Sequence, residues 1–117
     1  MPTRTFTSPE REFLHKIANK LPKDTGERLL ADMSVARVID KGDFLKVELN
    51  GYERPAYVGH RNLPFEGKLR DVSGGAVSIL VNIDQNERLL EVENIWWDSE
   101  SGNVLDWSTL EIIATPP

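Results

Sequence analysis

The chain has 117 residues, no cysteine and a net charge of −5, and it is long enough to bury a hydrophobic core without disulfide or metal crosslinks. Without cysteine it forms no disulfide, no thiolate nucleophile and no cysteine-ligated metal centre, which favours a reducing compartment. The N-terminal residues lack the apolar run of a signal peptide, and no stretch approaches the roughly 20 apolar residues of a membrane helix, so we expect a cytoplasmic location.

Two helices are predicted near the N-terminus. The first starts at Ser8, whose hydroxyl suits an N-cap, and Pro9 suits the first helical position. Apolar residues recur at helical spacing over 13–21, and Pro22 ends this helix. A second helix of about two turns is predicted from a capping pattern in residues 24–27.

From residue 34 onward the apolar spacing becomes that of strands. Alternating and β-branched runs separated by short turns predict an antiparallel sheet of five to six strands. The predicted strands are Val35–Ile39, Phe44–Leu49, Phe65–Asp71, Ala76–Ile83, Arg88–Trp97 and Leu110–Ala114. Residues 50–64 are predicted as a long loop, unless residues 56–58 pair as an edge strand, and loops of this length are often functional.

The order of these elements predicts one α+β domain over residues 1–117. The two helices are expected to pack on one face of a mostly antiparallel sheet, because no predicted helix lies between the later strands to make a parallel crossover. The other face of the sheet is then free to meet solvent or a partner.

The chain offers few residues for catalysis. Its two histidines are His15, beside the apolar stripe of the first helix, and His60, in the long loop. The sequence contains no phosphate loop, nucleophile elbow or EF-hand pattern, and two distant histidines do not make a three-histidine zinc site. We therefore expect no enzymatic activity, no cofactor and no metal site.

The long loop supplies an alternative site. Tyr57, His60 and Arg61 lie close together in it, and an Arg–His pair could hold a small anionic ligand or support a minor enzymatic activity. The other interpretation of His60 is a loop histidine that hydrogen-bonds locally. Burial in a concave pocket would favour the ligand site, whereas a flat, exposed acidic sheet would favour protein binding.

Charge is distributed unevenly along the chain. Residues 84–117 hold eight of the 19 acidic residues and one of the 14 basic residues, whereas residues 1–83 have a small positive balance. Phosphates would be repelled by the acidic part, so we expect no nucleic acid partner, and a basic protein would be attracted. The simpler interpretation is a solvated acidic surface that keeps the protein soluble.

An acidic strand with tryptophan is the leading candidate for a partner site. Strand alternation places Glu91, Glu93 and Trp97 on one face, and Asp98 and Glu100 follow directly. A tryptophan framed by carboxylates suits a basic protein surface. In this interpretation Trp96, on the other face, packs in the core. The alternative is that both tryptophans, together with Trp107, seal the end of the sheet.

A family resemblance spans most of the chain. The segment Ser8–Leu14 resembles the TPEER-x-LL start of a group of short, uncharacterised bacterial α+β proteins. The segments Gly75–Val81 and Arg88–Glu93 resemble the closing hairpin of that group, which a tryptophan follows, here within Ile95–Trp97 and at Trp107. In size, acidity and α+β build the chain is also similar to the immunity proteins that neutralise bacterial toxin domains.

These observations predict a non-catalytic protein-binding module, an immunity-type inhibitor. It would occlude the basic surface of a toxin or enzyme with the acidic strand and its tryptophan. A homodimer formed through the free sheet face or an edge strand is a further alternative. No membrane partner is expected.

Overall fold

The computed structural model describes residues 2–116 as two helices packed against an antiparallel sheet. The elements are α1 Ser8–Lys20, α2 Lys23–Ser34, β1 Ala36–Asp40, β2 Phe44–Leu49, β3 Arg61–Asn62, β4 Phe65–Asp71, β5 Ala76–Ile83, β6 Leu89–Trp96 and β7 Leu105–Ala114. The sheet order is β1-β2-β6-β5-β4-β7, and β3 pairs with β5. The predicted α+β class is confirmed, with seven strands instead of five to six.

Two strands differ from the prediction. The segment Arg61–Asn62 forms the short strand β3 beside β5, whereas residues 56–58 form no strand. Pro64 has no N–H to donate, and it separates β3 from β4. Strand β7 is ten residues long, twice the predicted length. Its first half was missed because residues 106–109 do not show the apolar alternation of a strand, and a register shift against β4 accommodates them.

The helix starts also differ from the prediction. The N-cap of α1 is Thr7 and not Ser8, because Thr7 and Glu10 form a reciprocal capping box. Helix α2 follows directly after Pro22 without a side-chain cap, so the predicted cap at Asp24 is wrong. Asp24 lies within the first helical turn, where its carboxylate faces the positive end of the helix dipole.

The helices approach each other closely and cover one face of the sheet. A Cβ added at Gly26 of α2 would lie 2.5 Å from the Ala18 carbonyl oxygen of α1, so the contact requires glycine. Phe13 of α1 is 1% exposed and packs against the sheet, with its ring 6.4 Å from that of Trp107. Within residues 2–116, neither helix is long and apolar enough to span a membrane.

The two faces of the sheet differ in what they present. Val77, Ile79 and Val81 of β5 are buried on the face that the helices cover. On the opposite side, here called the open face, β5 presents Ser78, Leu80 and Asn82. No helix among the described residues lies over the open face, which agrees with the predicted architecture.

Candidate binding site on the open face of the sheet

A buried carboxylate anchors the loop formed by residues 50–60 to the sheet. Asp84 is 4% exposed and accepts hydrogen bonds from the Tyr52 hydroxyl at 2.7 Å and from Arg54 at 2.9 Å. Two backbone N–H groups of the β5–β6 turn also donate to Asp84. Burial opposes ionisation, but these hydrogen bonds outweigh it and lower the pKa of Asp84 below its ordinary value. The base of the loop is thereby fixed.

The rest of the loop carries His60 to the open face. The carbonyl oxygen of Ala56 accepts a hydrogen bond from the Gln85 amide at 3.1 Å, and β3 holds the end of the loop against β5. The Tyr57 hydroxyl lies 2.9 Å from Nδ1 of His60, and both side chains are exposed. This bond orients the imidazole ring and leaves Nε2 without a hydrogen-bond partner among residues 2–116.

His60 meets two glutamates of β6. One ligand atom from each of His60, Glu91 and Glu93 lies within 4.8 Å of the other two. Both glutamates are half-buried, and they share the open face because they are two residues apart on a strand. We call these three residues the His60 cluster. Sequence reasoning placed His60 and the glutamates in rival sites, and the structure brings them into one.

Asn82 forms the floor of the His60 cluster. It is 0% exposed, and its amide nitrogen donates to Glu91 at 2.9 Å and to Glu93 at 3.3 Å. Its side-chain oxygen accepts a hydrogen bond from Asn62 of β3. Sequence analysis missed both asparagines. The available signal was a polar residue inside the otherwise apolar second half of β5.

Among the described residues, no basic side chain forms an ion pair with the carboxylates of this region. Lys46 lies opposite Glu91 across the β2–β6 pair, yet neither Glu91 nor Glu93 takes part in any ion pair of the described chain. Glu66 of β4 is on the same face, and it is 6% exposed. Within residues 2–116 its carboxylate has no hydrogen bond or ion pair. The open face is therefore locally negative here.

Trp97 lies on the open face beyond the end of β6. Its side chain is 65% exposed, and the indole N–H donates to the hydroxyl of buried Ser78 at 2.8 Å. Trp96 is half-buried against the core, and its indole N–H donates to Asp43 at 3.1 Å. Trp97 is thus the exposed member of the pair and Trp96 the packed one, a choice that strand alternation alone did not decide.

The two acidic residues after Trp97 lie in different surroundings. The carboxylate of Asp98 accepts a hydrogen bond from the backbone N–H of Ala76, so it holds the β6–β7 connection against β5. Glu100 is exposed. Of the five predicted contact residues, Asp98 therefore has a structural role in addition to its charge.

Asp71 holds the same connection from the other side. Its carboxylate accepts hydrogen bonds from Ser99, from Asn103 at 2.9 Å, and from the backbone N–H groups of Ser73 and Gly75 at 2.8 Å each. These bonds, led by that of Ser99, lower the pKa of Asp71 from 3.8 to about 2. Asp71 and Asp98 therefore both hold the connection that follows Trp97.

Arg61, the third residue of the alternative loop site, forms an ion pair with Glu87. Its guanidinium lies 2.8 Å from Glu87, which also pairs with Arg28 of α2 at 3.3 Å. The positive charge proposed for anion binding is therefore already matched by Glu87. His60 instead faces Tyr57 and the glutamates.

A groove runs along the open face beside the His60 cluster. Its volume is about 610 Å³, within the range of small-molecule pockets. Its walls include Phe44, Lys46, Tyr57, Leu90 and Glu91. Leu90 reaches the groove because a register shift after Asn82 places Leu89, and not Leu90, beside Ile83 on the covered face.

Comparison of the chain with models of protein families, with curated proteins and with solved structures finds no match. The resemblance to short bacterial proteins stays a prediction.

Proposed function

We propose that this protein is a non-catalytic binding module that engages a basic protein surface through the open face, in the manner of an immunity-type inhibitor. One observation carries the proposal: the exposed Trp97 and the unpaired carboxylates of Glu91 and Glu93 lie on the one sheet face that the helices leave uncovered. The proposed setting is the cytoplasm, as composition predicts.

Trp97 has the properties of an interface anchor. A large indole supplies contact area with only two rotatable bonds, so ordering it costs little entropy. Its hydrogen bond to Ser78 restricts the ring further before any partner arrives. A partner with an apolar pocket would bury a side chain that is now 65% exposed.

The glutamates add selectivity for a basic surface. Glu91 and Glu93 are half-buried, so their field is screened less than that of fully solvated charges. The segment 84–117 carries eight acidic residues against one basic residue. This field would raise the association rate with a basic partner, and burial of Trp97 would slow dissociation.

A second candidate function is the binding of a small molecule in the open-face groove. The observation that favours it is the volume of about 610 Å³ beside His60 and Tyr57. Arg61 is paired with Glu87, and Arg54, which also lines the groove, is paired with Asp84, so Lys46 is the lining cation that would contact an anionic group of such a ligand.

The test is capture of partners from the native host with tagged wild-type protein and two double variants. Trp97→Ala with Glu93→Lys changes the open face, and Val72→Ala with Glu12→Lys makes the same charge change and a smaller apolar truncation at exposed positions elsewhere. We expect wild type and the control variant to retain a basic protein that a high-salt wash weakens. The open-face variant should bind it at least about 30-fold more weakly, as loss of a hot spot predicts.

Circular dichroism should show that all three proteins melt as folded domains. Equal capture by the two double variants would contradict the site. A small molecule found by native mass spectrometry, with no protein partner, would instead favour the groove.

A further inference from the structure

We infer that His60, Glu91 and Glu93 form a binding site for a divalent first-row transition metal ion, with Zn²⁺ as the probe ion. The inference does not rest on the proposed partner, although two of the three ligands lie on the same face. It is drawn from the donor set, from the residues that orient it, and from the unmatched charge around it.

The donor set has the chemistry of such an ion. One imidazole nitrogen and two carboxylate oxygens suit Zn²⁺ or Mn²⁺, whereas Mg²⁺ and Ca²⁺ prefer oxygen ligands alone. Zinc bonds of 2.0–2.2 Å in a tetrahedron place ligand atoms about 3.4 Å apart. The three ligand atoms already lie within 4.8 Å of one another, so rotations of exposed or half-buried side chains are enough to close the site.

Neighbouring residues orient these ligands as they do at metal centres. A metal-bound histidine usually has its second ring nitrogen in a hydrogen bond, and ligating carboxylates are themselves hydrogen-bonded. The Tyr57 hydroxyl bonds Nδ1 of His60, so Nε2 is the nitrogen left for a ligand. Buried Asn82 donates to both glutamates and so holds the two carboxylates side by side.

The charge of the region points to a cation. Two half-buried carboxylates held close together repel each other, and no ion pair of the described chain relieves them. Glu66 adds a third carboxylate to the same face at 6% exposure, again without a hydrogen bond among residues 2–116. A divalent ion bound by the cluster would offset this repulsion.

Isothermal titration with Zn²⁺ at neutral pH tests the site on the whole chain, without any partner. We expect one ion per chain for the wild type, and an excess of Mg²⁺ should not displace it. His60→Ala and Glu93→Gln should each weaken binding at least 10-fold. Tyr57→Phe should weaken it about 10-fold, the effect typical of a residue that orients a ligand.

His15→Ala is the matched control, because His15 is the other histidine of the chain and lies exposed on α1. It should leave zinc affinity unchanged. Zinc binding that His15→Ala and His60→Ala weaken equally, binding that neither weakens, or no saturable binding by the wild type would overturn the inference. Circular dichroism of each variant should show an intact fold.

Trp97→Ala separates this inference from the proposed function. Trp97 lies outside the His60 cluster and bonds Ser78, so its loss should leave zinc affinity within twofold of the wild type. The same variant should lose the protein partner. Failure of the zinc titration therefore leaves the partner proposal standing, and failure of partner capture leaves the zinc site standing.

Discussion

The two faces of the sheet differ in the chemistry of their side chains: the covered face is apolar, and the open face is polar and charged. On the covered side, apolar side chains recur at the helical period in α1 and at every second residue in the strands, and residues such as Phe13 and Ile79 are almost fully buried. On the open face, the loop of residues 50–60 places His60 beside Glu91 and Glu93, which Asn82 holds by hydrogen bonds. The covered face supplies the apolar core, whereas the open face carries carboxylates that no ion pair of the described chain matches and an exposed tryptophan. That contrast is the physical reason for locating function there.

One polar network joins the two faces. Arg88 pairs with buried Asp32 of α2 at 2.8 Å and stacks over the ring of Tyr52 at 4.4 Å. Tyr52 in turn bonds Asp84, the carboxylate that anchors the loop. The hydrogen bond to Asp32 raises the pKa of Arg88, which is charged in any case. The loop that carries His60 is therefore tied to the helix layer through the β5–β6 turn.

The largest expected effect comes from the covered face. Phe13→Ala removes a ring that is 1% exposed and packs beside Trp107. It should cost about 3–5 kcal/mol of unfolding free energy, because a cavity replaces the ring. Urea unfolding measures the loss, and Val72→Ala, at an exposed position, should change stability by less than about 0.5 kcal/mol. A loss as small as that of Val72→Ala would mean that α1 does not hold this face.

The covered face was predictable because its signals are local. The apolar spacing over 13–21 and the alternation of Val77, Ile79 and Val81 each lie within one element, and each indicates its own buried side. The errors have two sources. The cap at Thr7 was missed although its capping box with Glu10 is local and visible in the sequence, whereas β7 was predicted too short because its bulge forms only against β4.

The connection that carries Trp97 should be sensitive to acid. The pKa of Asp71 is about 2 in the folded protein and 3.8 when unperturbed. A depressed folded pKa contributes stability that is fully present above pH 3.8 and is lost as pH falls toward 2. Wild type should therefore lose melting temperature over this window more steeply than Asp71→Asn, which cannot titrate.

At pH 7 the Asp71→Asn variant should melt below the wild type, by less than Phe13→Ala does. Its amide nitrogen would face the Asn103 amide, a donor opposite a donor. Thermal melts at several pH values between 2 and 7 measure both effects. Parallel curves for the two proteins between pH 4 and 2 would show that Asp71 is not the group that titrates.

The candidate site was predictable only in pieces. The acidic strand and the loop histidine each stood out, because each is a local departure from the surrounding pattern. Their meeting depends on β3, a two-residue strand, and on the anchoring of residues 50–60 by Asp84. Neither is visible in residue spacing, since both arise from pairings between distant segments. Asn82 was missed for the same reason: its partners lie on two other strands.

The smallest expected effect concerns the charge of the open face. Glu91→Gln keeps an oxygen that can accept from Asn82 but removes one of two adjacent half-buried charges. In the presence of a chelator it should raise the unfolding free energy by a few tenths to about 1 kcal/mol, since repulsion near a protein surface is of that order. Added salt should shrink the gain, because salt screens partly exposed charges.

With zinc present, Glu91→Gln should lower the unfolding free energy relative to the wild type instead of raising it. Wild type gains stability from an ion that binds only the folded state, and Glu91→Gln gains less because a ligand is lost. Glu111→Gln is the control, because exposed Glu111 lies opposite Lys68 as Glu91 lies opposite Lys46, but among the described residues Glu111 belongs to no carboxylate cluster like that of Glu91 and Glu93. It should lose a few tenths of a kcal/mol at most, with or without zinc. If Glu91→Gln behaves like Glu111→Gln, the carboxylates of the cluster do not repel each other. The open face would then be an ordinary solvated surface, and its contrast with the covered face would reduce to polarity alone.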